Sequence, residues 1–303
     1  MRSQLNSLDQ IRKKLGRVCQ EWKPQFFLDL GPDLNKVFGD PDKGLAYGKI
    51  VELSGNPSNG KTALCIDLAA AAQQDGAVVV WNDIENSFDQ PETPTQANWY
   101  SRRGLECHRG NKKVKGTDKF ILVQPYIGHF KDEKEARLIT GQELLTEVEQ
   151  LVSRNFKNGI KKQMLIVDSA AAILTEDEAA GGVDGQNMKT SMSLPKFLSG
   201  LMKRWVALMQ NYNCIVIFTN QLRHKPMAFG DPSYSPGGNA IPFYAHVRVR
   251  MGLTEGGKIL KNGHMVGIKG VLSNRKNKAG GIQHEKTGYK IYYAGNSKFF
   301  EVK

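Results

Sequence analysis

The chain has 303 residues and a formal net charge of +12, from 42 Lys and Arg against 30 Asp and Glu. That length supports one large α/β domain, or two smaller ones, with a substantial core. No run approaches the roughly 18 apolar residues of a membrane span, Met1-Arg2-Ser3-Gln4-Leu5 lacks the apolar stretch of a secretory signal, and the excess of cations favours a polyanionic partner. In chain order, residues 4–20 read as a helix, with Leu5, Leu8, Ile11, Leu15 and Val18 at helical spacing and Arg and Lys between them. A Gly/Pro/Asp-rich linker follows up to about residue 40. Lys49–Leu53 is an apolar strand and Ala63–Ala72 a helical pattern. Ala77–Trp81, Phe120–Val123, Met164–Val167 and Cys214–Phe218 are further buried strands. Helices are expected over Gly141–Phe156 and from about Lys189 to Asn211, while 84–118 and 125–140 read as polar, loop-like excursions. After Ala245 the pattern turns to short strands at Val247–Met251, Val266–Leu272, Tyr289–Tyr293 and Phe299–Val302. Alternation first and a meander last predicts an α/β fold with a mainly parallel central sheet, flanking helices and antiparallel strands at one edge.

The four cysteines, Cys19, Cys65, Cys107 and Cys214, stand far apart with no C-x-x-C spacing. Cys65 and Cys214 sit in apolar patterns, as buried thiols of a reducing, cytoplasmic compartment do. Cys107-His108 has no partner pair for a metal and reads as inconsequential surface chemistry.

Gly55-Asn56-Pro57-Ser58-Asn59-Gly60-Lys61-Thr62, followed by Ala63, lies between the first strand and the first helix of this alternating region. A G-x-x-x-x-G-K-T match in that strand–loop–helix order is a phosphate cradle. Its glycines let successive N–H groups face one anion, and the helix N-terminus adds positive dipole. Lys61 would reach the β/γ-phosphates and the Thr62 hydroxyl would hold Mg²⁺, so a nucleoside triphosphate with Mg²⁺ is the expected ligand. Asp168, ending the strand Met164–Val167, is the acid expected beside that metal. Asp83 and Glu85 follow the strand Val78–Trp81, and a Glu there can deprotonate the attacking water. Gln221, after Cys214–Phe218, offers an amide to sense a γ-phosphate. Beyond it, residues 223–239 form a long loop carrying Arg223, Lys225, Phe229 and the glycines Gly237-Gly238 before Asn239. Loops of that length are usually functional, and cations with an isolated aromatic suit unpaired nucleic-acid strands.

Taken together, these residues resemble the bacterial RecA recombinases and their phage relatives, from about Gly48 to Lys278. Gly55–Thr62 resembles the family's Walker A loop, Asp83-Ile84-Glu85 with Asp89 its Asp-x-Glu-x-x-x-Asp segment, and Leu165–Ala172 its Walker B strand. Phe218-Thr219-Asn220-Gln221-Leu222-Arg223 resembles its Asn-Gln-Ile-Arg motif, and Gly237-Gly238-Asn239-Ala240 with Phe243-Tyr244-Ala245 the end of its second DNA loop. The resemblance implies a RecA-like P-loop ATPase core over 41–303 and an oligomerisation helix within 1–40. It implies Glu85 as base for water, Lys61 on phosphates, Gln221 as γ-phosphate sensor and Asp89 near the adenine. Lys276 and Lys278 would reach a neighbour's ATP. Lys189, Lys196, Arg223, Lys225, Phe229, Gly237, Gly238 and Asn239 would bind DNA, in loops at about 176–189 and 223–239. Implied partners are single-stranded DNA, homologous duplex, further copies of the chain in a helical filament, and a single-strand-binding or loader protein. Three departures stand out. No separate C-terminal domain is expected, the second loop is one residue shorter, and the basic stretch 90–118 has no family counterpart. Such a minimal core is expected of a phage-encoded member. A RecA-fold motor would share Lys61, Glu85 and Asp168 but normally supplies arginine in trans, where lysines stand here. A mediator without exchange activity would not need Glu85, Gln221 and Phe229, and a metabolic P-loop kinase leaves 223–239 unexplained.

Overall fold

The computed structural model describes residues 22–89, 99–108, 119–125, 127–128, 137–181, 192–224, 233–293 and 301–302. The predicted helix 4–20, Lys189, Lys225, Phe229 and residues 90–98 and 109–118 lie outside them.

A small antiparallel pair, Phe27–Leu28 (β1) with Leu45–Ala46 (β2), brackets the helix Pro32–Phe38 (α1). This stretch is no extended linker: Leu28, Val37 and Phe38 are buried in the main core. Proline at the first turn and Gly31 in a positive-φ conformation start α1. Then come Ile50–Gly55 (β3), Lys61–Gln74 (α2), Val78–Asp83 (β4), Trp99–Arg102 (α3), Phe120–Val123 (β5), Ile127–Gly128 (β6), Arg137–Leu138 (β7) and Gly141–Lys157 (α4). Gln163–Asp168 (β8), Glu176–Gly181 (α5), Ser193–Asn211 (α6), Cys214–Gln221 (β9), Arg223–His224 (β10), Ser233–Tyr234 (β11) and Ala240–Tyr244 (α7) follow. The last strands are Val247–Lys261 (β12), His264–Asn277 (β13), Lys286–Tyr292 (β14) and Glu301–Val302 (β15).

Nine described strands form one sheet in the order β15-β14-β13-β12-β3-β9-β8-β4-β5. The six from β12 to β5 run parallel and the remaining three antiparallel, as the alternation-then-meander pattern predicts. Both faces of the parallel part are covered, so its strands read as near-continuous Val, Ile and Leu. Val51, Leu53, Trp81 and Ile217 pack on the α2 side, whereas Ile50, Val80, Val216 and Phe218 pack on the α4 and α6 side. Helix α2 is apolar nearly all round because a further layer covers it. Phe88, Tyr100, Leu105 and Cys107 are all buried there, with the Phe88 and Tyr100 rings stacked at 3.9 Å. The region read as a polar surface excursion therefore contributes Phe88, Tyr100, Leu105 and Cys107 to the core. Cys107 is a buried thiol, not surface chemistry, and the Gln73 amide ties the neighbouring Glu106 backbone through both N–H and carbonyl.

The short strands expected after Ala245 are instead one long hairpin, β12 and β13, turning at Asn262-Gly263. Both turn residues have positive φ (52° and 79°), the geometry that Asn-Gly supplies in a two-residue hairpin turn. Register shifts between Leu253 and Lys258 absorb the polar, Gly-rich stretch that made the strand look interrupted.

Candidate nucleotide and nucleic-acid site

The phosphate loop leaves the sheet where β3 ends at Gly55 and enters α2 through Gly60, which stands at φ 90° in the left-handed region. No side chain caps α2, so its first-turn N–H groups have no acceptor within the helix. Asn56, Pro57 and Ser58 are exposed, and the Lys61 ammonium folds back to donate to the carbonyls of Gly55 and Asn56, each at 3.0 Å. Burial holds the Lys61 ammonium below its ordinary pKa, against the pull of Asp168 and Glu85. A desolvated cation beside unpaired N–H groups is suited to a polyphosphate. The antiparallel strands brace this loop. Asn59 Nδ2 donates to Met251 O at 3.0 Å, and the Tyr289 hydroxyl donates to Asn59 O at 2.9 Å. A Cβ on Gly60 would lie 2.1 Å from Ile291 Cδ1, so the glycine is required for close approach as well as for φ.

On the acid side, β4 and β8 end in register, Asp83 opposite Asp168. Asp168 is 5% exposed. Its Oδ2 accepts from the Thr62 hydroxyl at 3.0 Å, and its Oδ1 from the Thr219 hydroxyl. Burial pushes the Asp168 carboxyl up, the two hydroxyls pull it down, and Glu85 and Asp83 push it up further. The Ser169 hydroxyl donates to Glu85 Oε1 at 2.5 Å, which aims Glu85 at the Asp168 side of the crevice. Asp83 turns away from that role, since its carboxylate accepts from Ser87 Oγ, Phe88 N and Gln124 Nε2 and so builds the turn that carries Glu85. Among the described residues no cluster of three His, Cys, Asp or Glu side chains exists for a metal. A hydroxyl and one carboxylate fit a hard, water-rich cation that shares phosphate oxygens, as Mg²⁺ does.

Strand β9 joins this site to a second one. Its register sets Asn220 beside Ser54 and Gln221 beside Gly55, so Gln221 flanks the first residue of the phosphate loop. Two residues on, Arg223 pairs with Tyr234 across β10 and β11. Arg223, Tyr234, Gly237, Gly238 and Asn239 then line a cleft of about 730 Å³ together with Leu194 and Pro195 of α6. Gly237 and Gly238 both have positive φ (87° and 73°), and a Cβ on Gly237 would lie 2.5 Å from Leu198 Cδ1. The glycine pair thus lets the end of one loop region sit directly on the helix that follows the other. Lys196, on α6, is exposed.

A family model described as the RecA N-terminal domain matches residues 139–296, more than half of the chain. The chain belongs to the RecA family. It is 28% identical to Protein RecA of Acholeplasma laidlawii over 236 residues, covering 78% of this chain and 59% of the relative. To Protein RecA of Cereibacter sphaeroides it is 30% identical over 260 residues, with coverages of 86% and 64%. Against that of Pseudomonas putida it is 30% identical over 236 residues, with coverages of 78% and 55%. The chain therefore spans less than two thirds of the length of these RecA proteins.

Within this RecA-family core, Lys276 and Lys278 lie far from the chain's own phosphate loop. Asn277 pairs with Val247, which pairs with Val51, at the opposite end of β3 from Gly55. The Lys276 ammonium donates to Pro242 O at 3.0 Å and Phe243 O at 2.7 Å, closing the last turn of α7, while Lys278 is exposed. Asp89 is exposed at the edge of the crevice. Sequence reasoning did not find Thr219, Ser169 or the Asn59–Tyr289 brace. Thr219 stood inside the recognised Asn-Gln segment, and its strand position, level with the end of β8, was the available signal.

Proposed function

We propose that this chain is an ATP-dependent recombinase that assembles as a helical filament on single-stranded DNA and pairs it with homologous duplex. The observation that carries this reading is β9. It presents Thr219 to the metal-side acid and Gln221 to the phosphate loop, and it leads, two residues on, to Arg223 of β10 in the cleft between the loop regions. A nucleotide's γ-phosphate and a nucleic-acid strand would then bias the same few residues, which is the requirement for ATP to control DNA affinity.

In this reading Lys61 and the loop N–H groups bind the triphosphate of ATP. Thr62 and Asp168 hold Mg²⁺, whose charge offsets that of the phosphates. Glu85, oriented by Ser169, takes the proton of the attacking water. Gln221 senses the γ-phosphate and moves the second loop. Lys276 and Lys278, too distant for the chain's own site, serve the ATP of the next subunit, so hydrolysis requires head-to-tail assembly, which gives a filament where the rotation does not close. The formal charge of +12 suits a polyanion on the loop face.

The test is joint-molecule formation between circular single-stranded DNA and homologous linear duplex, with ATP and Mg²⁺. Homology-dependent product from the wild type, abolished by Lys61→Ala and by Phe229→Ala, is expected. DNA-stimulated ATP hydrolysis without joint molecules would instead identify a motor or a mediator.

A further inference from the structure

Glu52 lies on β3 at 0% exposure, in a strand of otherwise apolar or small residues. Its two oxygens are divided between two neighbouring strands. Oε2 accepts from Arg248 Nε at 2.5 Å, and Oε1 from Asn220 Nδ2 at 3.4 Å. The Asn220 amide also donates to Pro236 O at 3.2 Å, at the end of the second loop region. A fully buried carboxylate is costly unless paired, and here the partner is not itself fully buried. The Arg248 side chain is 29% exposed and lines the same 730 Å³ cleft as Arg223 and Gly237–Asn239.

An ion pair kept only for stability would spend the guanidinium fork on the carboxylate. Arg248 spends Nε alone, and among the described residues its guanidinium makes no other hydrogen bond or ion pair. Two other charged groups nearby are already occupied. Glu178, also in the cleft, accepts from Thr175 N and Thr175 Oγ1, and Lys276, the register partner of Arg248, is held by the carbonyls of Pro242 and Phe243. A planar fork with two free N–H₂ groups facing a polar cleft is suited to a phosphodiester.

We infer that Arg248 is a DNA-phosphate contact at the floor of this cleft, and that Glu52 is the positioning residue that aims it. This rests on the recombinase reading. Through Asn220, the same carboxylate ties the contact to the strand that carries Gln221, so the cation is presented in register with the phosphate loop.

The test uses the full chain, Mg²⁺, a non-hydrolysable ATP analogue and dye-labelled oligothymidylate, titrated at a series of salt concentrations. Loss of one phosphate contact makes the log–log slope shallower by about 0.7 on single strands. Arg248→Gln is expected to show that change, whereas Arg248→Lys keeps the charge and the wild-type slope. Because Arg248→Gln leaves Glu52 buried without its cation, Glu52→Gln/Arg248→Gln carries the test if the single variant does not fold, as judged by thermal unfolding. A wild-type slope in the charge-removing variant overturns the inference even if affinity drops, since a structural role weakens binding without changing the ion count. An unchanged slope with weaker binding of the ATP analogue also overturns it and assigns the guanidinium to a nucleotide. If the wild type shows no salt-dependent DNA binding, the recombinase reading itself fails.

Discussion

Thr219→Val removes one hydroxyl from the Asp168 carboxylate while keeping the β-branched shape that fills the site. Burial raises the Asp168 pKa, and only two hydroxyl donors, Thr219 and Thr62, pull it back. A hydrogen bond to a charged group contributes about 1.5–3 kcal/mol, so loss of Thr219 should raise the carboxyl further and weaken the ionised form by about that much. The sign follows because, in the proposed site, the ionised form is the one that would hold Mg²⁺. A higher pKa means that the carboxylate is protonated sooner as pH falls, and the acid limb of the hydrolysis profile moves to higher pH. Thr62 cannot compensate, because in the proposed site its hydroxyl also serves the metal. The assay is steady-state ATP hydrolysis from mildly acidic to neutral pH at saturating Mg²⁺, with Thr219→Ser as the variant that retains the donor. A Val profile that coincides with wild type would refute the assignment of Asp168 as the titrating metal ligand. So would a Ser variant that shifts as far as Val.

Three further outcomes are expected. Gly237→Ala forces a left-handed alanine, at about 1–2 kcal/mol, and a contact with buried Leu198 that costs about 1–3 kcal/mol; urea unfolding should show the sum, while Gly252→Ala, whose Cβ meets nothing within 4 Å, should stay near wild type. His246 is held neutral, with burial and then Lys49, Lys276 and Lys278 lowering its pKa from 6.5 to about 4, while Nδ1 accepts from Ile50 N. This stability is fully present above the unfolded pKa and lost as pH falls from about 6.5 to about 4, so wild type should lose about 3 kcal/mol more than His246→Asn across that window. Finally, Lys61→Ala and Lys276→Ala/Lys278→Ala proteins, each inactive alone, should regain hydrolysis when mixed, with about a quarter of interfaces competent in an equimolar head-to-tail assembly; no recovery would refute the shared site.

What the sequence made legible was chemistry carried by neighbours in the chain. The phosphate loop, the strand ending at Asp168 and the link from Gln221 to a loop each lie within a single strand–turn segment, where residue type and backbone geometry constrain each other. The contacts that were missed join distant segments. Tyr289 and Ile291 brace the loop at Asn59 and Gly60 from the far antiparallel strands, and nothing in either segment alone announces the other. Phe88, Tyr100 and Cys107 were hidden by the polar residues around them, because a few well-placed apolar side chains suffice to dock a segment whose average composition is hydrophilic. The hairpin was misread for a similar reason. Asn262-Gly263 gave the turn, but the strand beside it projects beyond the packed sheet and has no need of alternating apolar residues.

The brace between Tyr289 and Asn59 spans 230 residues of chain, and its consequence appears during synthesis. At about 5–20 residues per second, the phosphate loop leaves the ribosome roughly 10–50 seconds before the strand that steadies it. Throughout that interval the motif is complete in sequence while its floor is missing. A nascent chain therefore carries an unbraced phosphate loop until the last strands arrive, and in the proposed reading ATP can favour the finished molecule only after β14 has paired with β13.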